Sequence, residues 1–212
     1  MKLKTFLVLS PLIVSLSACA SLRIGSEVQS GRRALLIGKN DEALAYFQSA
    51  AKEDPNYTYG TAMRHSVLSY VGRSEYATGR YPQARQTLEK VLVTNKDDDV
   101  SRLYLGLTLA RSGDRQQGLS EIQNGMKGIH DWIEYITQAQ RFSFGQFWDP
   151  NQEIRGEIQN NLAMISKREF DWDKLIANGE WIGKEIEEEG DRARQDESRE
   201  RSRDSEGKDS QP

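Results

Sequence analysis

The residues that could do chemistry in this chain are few. Cys19 is its only thiol, and His65 and His130 are its only imidazoles. A lone thiol can act as a nucleophile or accept an acyl chain, but it forms no intramolecular disulfide and no Cys-based zinc site. Two histidines do not make a His-rich metal centre. A catalytic His needs a nucleophile and an orienting acid nearby, and neither local sequence offers them. No Gly-x-Ser-x-Gly elbow occurs. Gly179-Glu-Trp-Ile-Gly183-Lys184 has the wrong spacing for a phosphate-cradling loop and lacks the Ser or Thr. The sequence therefore predicts a binding protein, not an enzyme, with no catalytic residues, no metal ligands and no cofactor.

Composition narrows the choice of partner. The 212 residues carry 29 Lys and Arg against 32 Asp and Glu, a net charge of −3. That balance gives no field for nucleic acid. The charge is unevenly placed. Residues 187–212 hold ten acids, six bases and one apolar side chain, Ala193. Such a segment lacks the apolar surface to offset its ordering entropy. It predicts a charged, largely disordered tail whose start extends the preceding helix.

The elements that position Cys19 come first in the chain. Lys2 and Lys4 precede an apolar run from Thr5 to Leu16, too short to span a bilayer. It reads as a secretory signal peptide, residues 1–18. Leu16-Ser17-Ala18-Cys19 resembles the bacterial lipoprotein processing box. That resemblance implies cleavage after Ala18, lipid on the Cys19 thiol and acylation of its new amine. Several acyl chains anchor stably where one is marginal. Ala20 and Ser21 carry no Asp of the inner-membrane retention type, which by the same resemblance places the chain on the periplasmic face of the outer membrane. Residues 19–23 are then a short lipidated tether.

A spaced glycine pattern follows. Gly31, Gly72 and Gly106 lie in similar surroundings, 41 and 34 residues apart. Seven residues after each comes Gly38, Gly79 or Gly113. Twelve after comes Ala43, Ala84 or Gly118. Sixteen after comes Phe47, Leu88 or Ile122, and nineteen after comes Ala50, Val91 or Gly125. The second glycine suits a left-handed helix C-cap. Asn40-Asp41, Pro82 and Asp114 can open the next helix. Small residues let two helices approach, and the large residue four further on shares their face. The extra seven residues of the first interval, around Asn56 to Arg64, either lengthen a helix or bulge as a loop, with Tyr57 and Tyr59 packing inward or presenting hydroxyls.

This pattern is similar to the tetratricopeptide repeat, a 34-residue helix–turn–helix unit. The expected fold is all-α: a tetratricopeptide (TPR) solenoid of about three repeats (24–57, 65–98 and 99–132), C-terminal capping helices over 133–186, and the tail over 187–212. The resemblance implies that partners lie on the concave wall built by the first helix of each repeat. In register, that wall holds Val28, Arg32 and Leu35, then Ser69, Arg73 and Tyr76, then Leu103, Leu107 and Arg111. Arg32 and Arg73 occupy equivalent positions. With Tyr76 they favour an acidic peptide or a carboxylate, or else they are wall residues paired with nearby acids.

The C-terminal third holds all four tryptophans. Ile129, Trp132, Ile133 and Ile136 form one helical stripe, the first helix of a degenerate fourth unit. Gly145 and Pro150 break the chain, Asn151 can cap a helix striped by Ile154, Ile158, Leu162 and Ile165, and Asp171 starts another through Ile186. Phe142, Phe144, Phe147 and Trp148 either pack as a capping layer or form an exposed patch for a partner or the membrane interface.

Together these features predict a membrane-anchored TPR lipoprotein that acts as an adaptor or assembly scaffold in the bacterial envelope. Known lipoproteins of this architecture include pilotin-like factors, outer-membrane assembly components and cell-wall-enzyme scaffolds. Its partner is an envelope protein or peptide, with covalent lipid on Cys19 and no nucleic acid. The alternative is a transport-associated solute-binding subunit with a pocket in the Trp-rich third. Fatty-acid analogue labelling tests the anchor. The wild-type chain should take up label and sediment with membranes, and Cys19→Ala should do neither. Equal labelling of both chains would refute lipidation at Cys19.

Overall fold

The computed structural model describes residues 10–60, 62–168 and 170–209, with side chains described from 22 to 200. Residues 1–9 of the expected signal peptide, the Cys19 side chain and residues 210–212 lie outside what is described. The chain is all-α, apart from one small two-stranded ribbon. Its helices are α1 (Ser10–Leu36), α2 (Asn40–Glu53), α3 (Val67–Ala77), α4 (Tyr81–Thr94), α5 (Asp99–Arg111), α6 (Arg115–Ala139), α7 (Glu153–Lys167) and α8 (Trp172–Asp209).

Helices pack as consecutive hairpins, α1 on α2, α3 on α4 and α5 on α6, with α2 on α3 and α4 on α5 joining them. Each hairpin turns at a glycine with positive φ: Gly38 at 77°, Gly79 at 74° and Gly113 at 95°. The same pair of hydrogen bonds closes each helix end. At the first turn, Gly38 N–H donates to the Leu35 carbonyl at 3.1 Å and Lys39 N–H to Ala34 at 2.9 Å. Gly79 with Arg80 and Gly113 with Asp114 repeat that 5→2 and 6→1 pattern, which absorbs carbonyls a helix end leaves orphaned. Within each hairpin, the earlier glycine lies under the large residue sixteen positions on. A Cβ on Gly31 would come within 2.7 Å of Phe47, one on Gly72 within 2.7 Å of Leu88, and one on Gly106 within 2.8 Å of the Ile122 side chain.

The α5–α6 hairpin is the tightest. Gly118 lies against the Ala110 backbone, and Gly125 lies against the Leu103 backbone. The first and second hairpins are also tied by a side chain, because Asn40 Nδ2 donates to the Ala77 carbonyl at 3.1 Å.

Several boundaries differ from expectation. The extra residues of the first interval form a loop, closed by antiparallel pairing of β1 (Thr58–Tyr59) with β2 (His65–Ser66), before α3 begins. The stripe expected to open a fourth unit starts no new helix: α6 runs through it to Ala139. No Gly or Pro punctuates that stretch after Gly128, and Ile122, Met126, Ile129, Ile133 and Ile136 make one unbroken buried stripe. Asn151 does not cap α7: the N-cap residue is Gln152, whose side chain makes no capping bond, and Asp149 supplies the acceptor instead. Its carboxylate accepts from Ile154 N–H at 3.0 Å and Arg155 N–H at 3.1 Å. The expected disordered tail from Glu187 is also corrected, because α8 continues through Asp209. As far as Ala193 its face is buried, at Glu187, Glu189 and Ala193, and that burial offsets the ordering entropy of this first part.

Two glycines give opposite expectations. Gly156 sits in α7 with nothing within 4 Å of an added Cβ. Gly156→Ala should stabilise by about 0.5–1 kcal/mol through lower backbone entropy in the unfolded chain. Gly125→Ala puts its Cβ 2.5 Å from the Leu103 backbone nitrogen. It should destabilise by about 1–3 kcal/mol through overpacking. Urea unfolding midpoints check both signs.

Candidate functional site

The inner wall of the hairpin stack is built by α1, α3 and α5, and it is covered. Helix α8 runs along it, and one carboxylate of α8 holds the centre. Glu187 is 5% exposed, Arg32 5% and Arg73 1%. Arg32 Nε donates to Glu187 Oε1, and Arg73 Nη1 donates to Oε2 at 2.8 Å. Tyr70 OH also donates to Oε1, at 3.0 Å. Each guanidinium lies over aromatic faces as well. Arg32 sits 4.8 Å from the Tyr59 ring centroid, and Arg73 sits 5.1 Å from Tyr70 and 5.2 Å from Tyr104.

Flanking contacts extend this lock in both directions. Arg32 Nη2 donates to Asp191 Oδ1 at 3.1 Å. Toward α5, Tyr76 OH donates to Glu180, and Arg111 Nη2 donates to the same oxygen at 3.2 Å. Burial alone would push the Glu187 carboxyl up. The charges of Arg73 and Arg32 outweigh it and hold the group at about 2. Burial lowers Arg32 and Arg73, and Glu187 overcomes this, so both guanidiniums end above their ordinary value. Burial, then the Glu187 charge, drives the Tyr70 phenol well above its ordinary value, which keeps it a donor.

The residues expected on an open wall are therefore occupied by their own chain. Arg32 and Arg73 are buried and paired, and Tyr76 is buried against Glu180. Arg111 is exposed at the rim, where it shares Glu180. None of the four stands free on an open wall: Glu187 and Asp191 take Arg32, Glu187 takes Arg73, and Glu180 takes Tyr76 and Arg111, all three acids from α8. The aromatic segment is divided. Trp148 is buried, with its ring edge-on to Trp132 at 4.7 Å. Phe144 and Phe147 are half-buried on the same core. Phe142 is 85% exposed, with the Arg141 guanidinium 4.4 Å from its ring centroid. The structure joins the arginines through α8 and keeps Phe142 apart from them.

Sequence reasoning missed Glu187, Glu180, Tyr70 and Tyr104. One signal was present. Gly179, Ile182, Gly183, Ile186, Gly190 and Ala193 continue a single three-and-four stripe past the point where large apolar residues stop.

Each imidazole lies beside one aspartate. His65 Nδ1 lies 3.6 Å from Asp98 Oδ1, and Asp98 also caps α5 by accepting from Ser101 N–H at 3.0 Å. His130 faces Asp131 and Gln159. Among the described residues, no three His, Cys, Asp or Glu side chains come together as a metal site. No described helix is long and apolar enough to cross a membrane. The wall holds α8, the chain's own acidic helix, by charge and shape.

Glu187→Gln leaves the buried Arg73 guanidinium without its counter-charge and Arg32 with only the more exposed Asp191, and should destabilise by about 3–5 kcal/mol at neutral pH. The wild-type carboxyl sits at about 2 when folded, against a carboxylate's ordinary value near 4.5. Its contribution is therefore present above pH 4.5 and lost as pH falls toward 2. Unfolding free energy measured across that window should fall more steeply for wild type than for Glu187→Gln. Comparison with protein-family models, with curated proteins and with solved structures finds no significant match to this chain.

Proposed function

We propose that this chain is a lipid-anchored adaptor or assembly scaffold of the bacterial cell envelope, built on hairpins of the TPR type. The observation that supports it is a helical-hairpin wall that holds a helix through paired arginines. Such a wall does its work by recognition. The hairpin turns at Gly38, Gly79 and Gly113, and the glycine-under-large-residue contacts within each pair, favour the repeat assignment.

The anchor and the wall share one helix. Cys19 and Val28 both lie in α1, about 14 Å apart at the helical rise. Lipid on Cys19 would hold the stack close to the outer membrane on its periplasmic side. The solute-binding alternative has weaker support, because Trp132 and Trp148 fill the space between them with each other.

Photo-crosslinking in intact cells tests the adaptor reading. A photoreactive residue placed singly at Val93, Tyr135 and Phe142, all exposed, should capture a discrete envelope protein from at least one site. The product should disappear in Cys19→Ala. Capture that persists at equal yield without the anchor, or no product from any site, would defeat this reading.

A further inference from the structure

The face that α8 turns to the wall has a regular form. Gly179, Gly183, Glu187 and Asp191 follow one another at four-residue steps, so they line one side of the helix. A Cβ on Gly179 would meet the Leu107 side chain at 2.8 Å, and one on Gly183 would meet the Tyr104 ring at 2.6 Å. The Gly183 carbonyl accepts from Arg73 Nη2 at 3.4 Å. Glu187 then takes Arg73 and Arg32, and Asp191 takes Arg32 again. The order of contacts is α5, then α3, then α1. A Cβ at either of the first two steps would force the Leu107 or Tyr104 side chain to shift, so shape favours glycine there. Charge demands a carboxylate at the third.

Resting on the adaptor reading, we infer that the inner wall is a receptor for an acidic helix with a small-x-x-x-small-x-x-x-Glu face, that α8 is its tethered occupant, and that a partner protein binds by presenting the same face in place of α8. Every wall contact just described can be made by a helix from outside. The wall's cations Arg32, Arg73 and Arg111 set the sign of the partner's charge. The contacts from Glu187 onward are largely polar. A departing Glu187 strips buried Arg73 of its counter-charge, so only a partner that brings a carboxylate to the same place can take over.

The probe is a fluorescent synthetic peptide of residues 172–196, added to the full-length chain. Glu187→Arg in the chain sets like charge against Arg32 and Arg73 and frees the wall. This variant should bind the wild-type peptide at least tenfold more tightly than the wild-type chain does, read by fluorescence polarisation. Peptides carrying Gly183→Leu or Glu187→Gln should bind it at least tenfold more weakly. Equal binding of the three peptides, or none of the first, would overturn the inference. If Glu187→Arg does not fold, hydrogen exchange on the wild-type chain decides. Excess wild-type peptide should speed exchange of the 187–196 amides, and the Gly183→Leu peptide should not; no difference between them overturns it. A wild-type dimer that exchanges α8 in sedimentation would replace the foreign partner with a second copy. Crosslinking to an envelope protein with no peptide binding would leave the adaptor reading standing and remove only this one.

Discussion

Two arginines one hairpin apart face the same buried space. Like charges in a medium of low dielectric repel strongly unless an anion sits between them. Glu187 is that anion, and it takes one guanidinium on each oxygen. Its position fixes the course of α8 along the wall. The consequence reaches beyond one ion pair. Stacked hairpins touch only their neighbours, so each could loosen on its own. Helix α8 touches α1 through Arg32, α3 through Tyr70, Arg73 and Tyr76, and α5 through Tyr104, Leu107 and Arg111. It converts a row of hairpins into one cooperative body.

Glycine does the same job at two levels of this structure. Within the hairpins, Gly31, Gly72 and Gly106 let Phe47, Leu88 and Ile122 reach the facing helix backbone. Between hairpins and α8, Gly179 and Gly183 let Leu107 and Tyr104 reach the helix that covers them. In each case the missing Cβ is replaced by a large side chain from the partner, so packing density is kept while the helices come closer. Gly118 and Gly125 on α6 differ: there backbone meets the α5 backbone, and the hairpin tightens further.

The hairpins were legible because their signal is local and repeated: a glycine, a small residue and a large one recur at fixed offsets. The covered wall was not legible, for an equally physical reason. Glu187, Glu188 and Glu189 are chemically identical, and only the 100° step between successive residues decides which one faces the arginines. Glu188 lies half-buried beside Lys184 and Arg192, while Glu187 is fully enclosed. Composition over 187–212 averages that distinction away and reads as a solvated tail. The stripe that would have revealed it passes from large residues, Ile182 and Ile186, to small ones, Gly190 and Ala193, and hydrophobicity does not register small residues. The right arginines could be picked out from register alone, yet their partner lay 114 and 155 residues further along the chain, beyond any local rule.

A wall closed by a tethered helix sets a condition on any partner that would use it. The competing α8 is covalently attached, and a short flexible connection gives effective concentrations in the millimolar range. A partner free in solution at micromolar levels would lose to α8 even with equal intrinsic affinity. Confinement to the same surface changes that balance. Helix α1 carries both Cys19 and Arg32, 13 residues apart, which is about 20 Å along the helix. With lipid on Cys19, the wall stands at membrane-proximal height. A partner anchored in the same leaflet then meets α8 at comparable local concentration. Anchoring and self-occupancy are two parts of one device under this reading: the helix keeps the arginines satisfied in isolation, and the membrane supplies the concentration needed to exchange it.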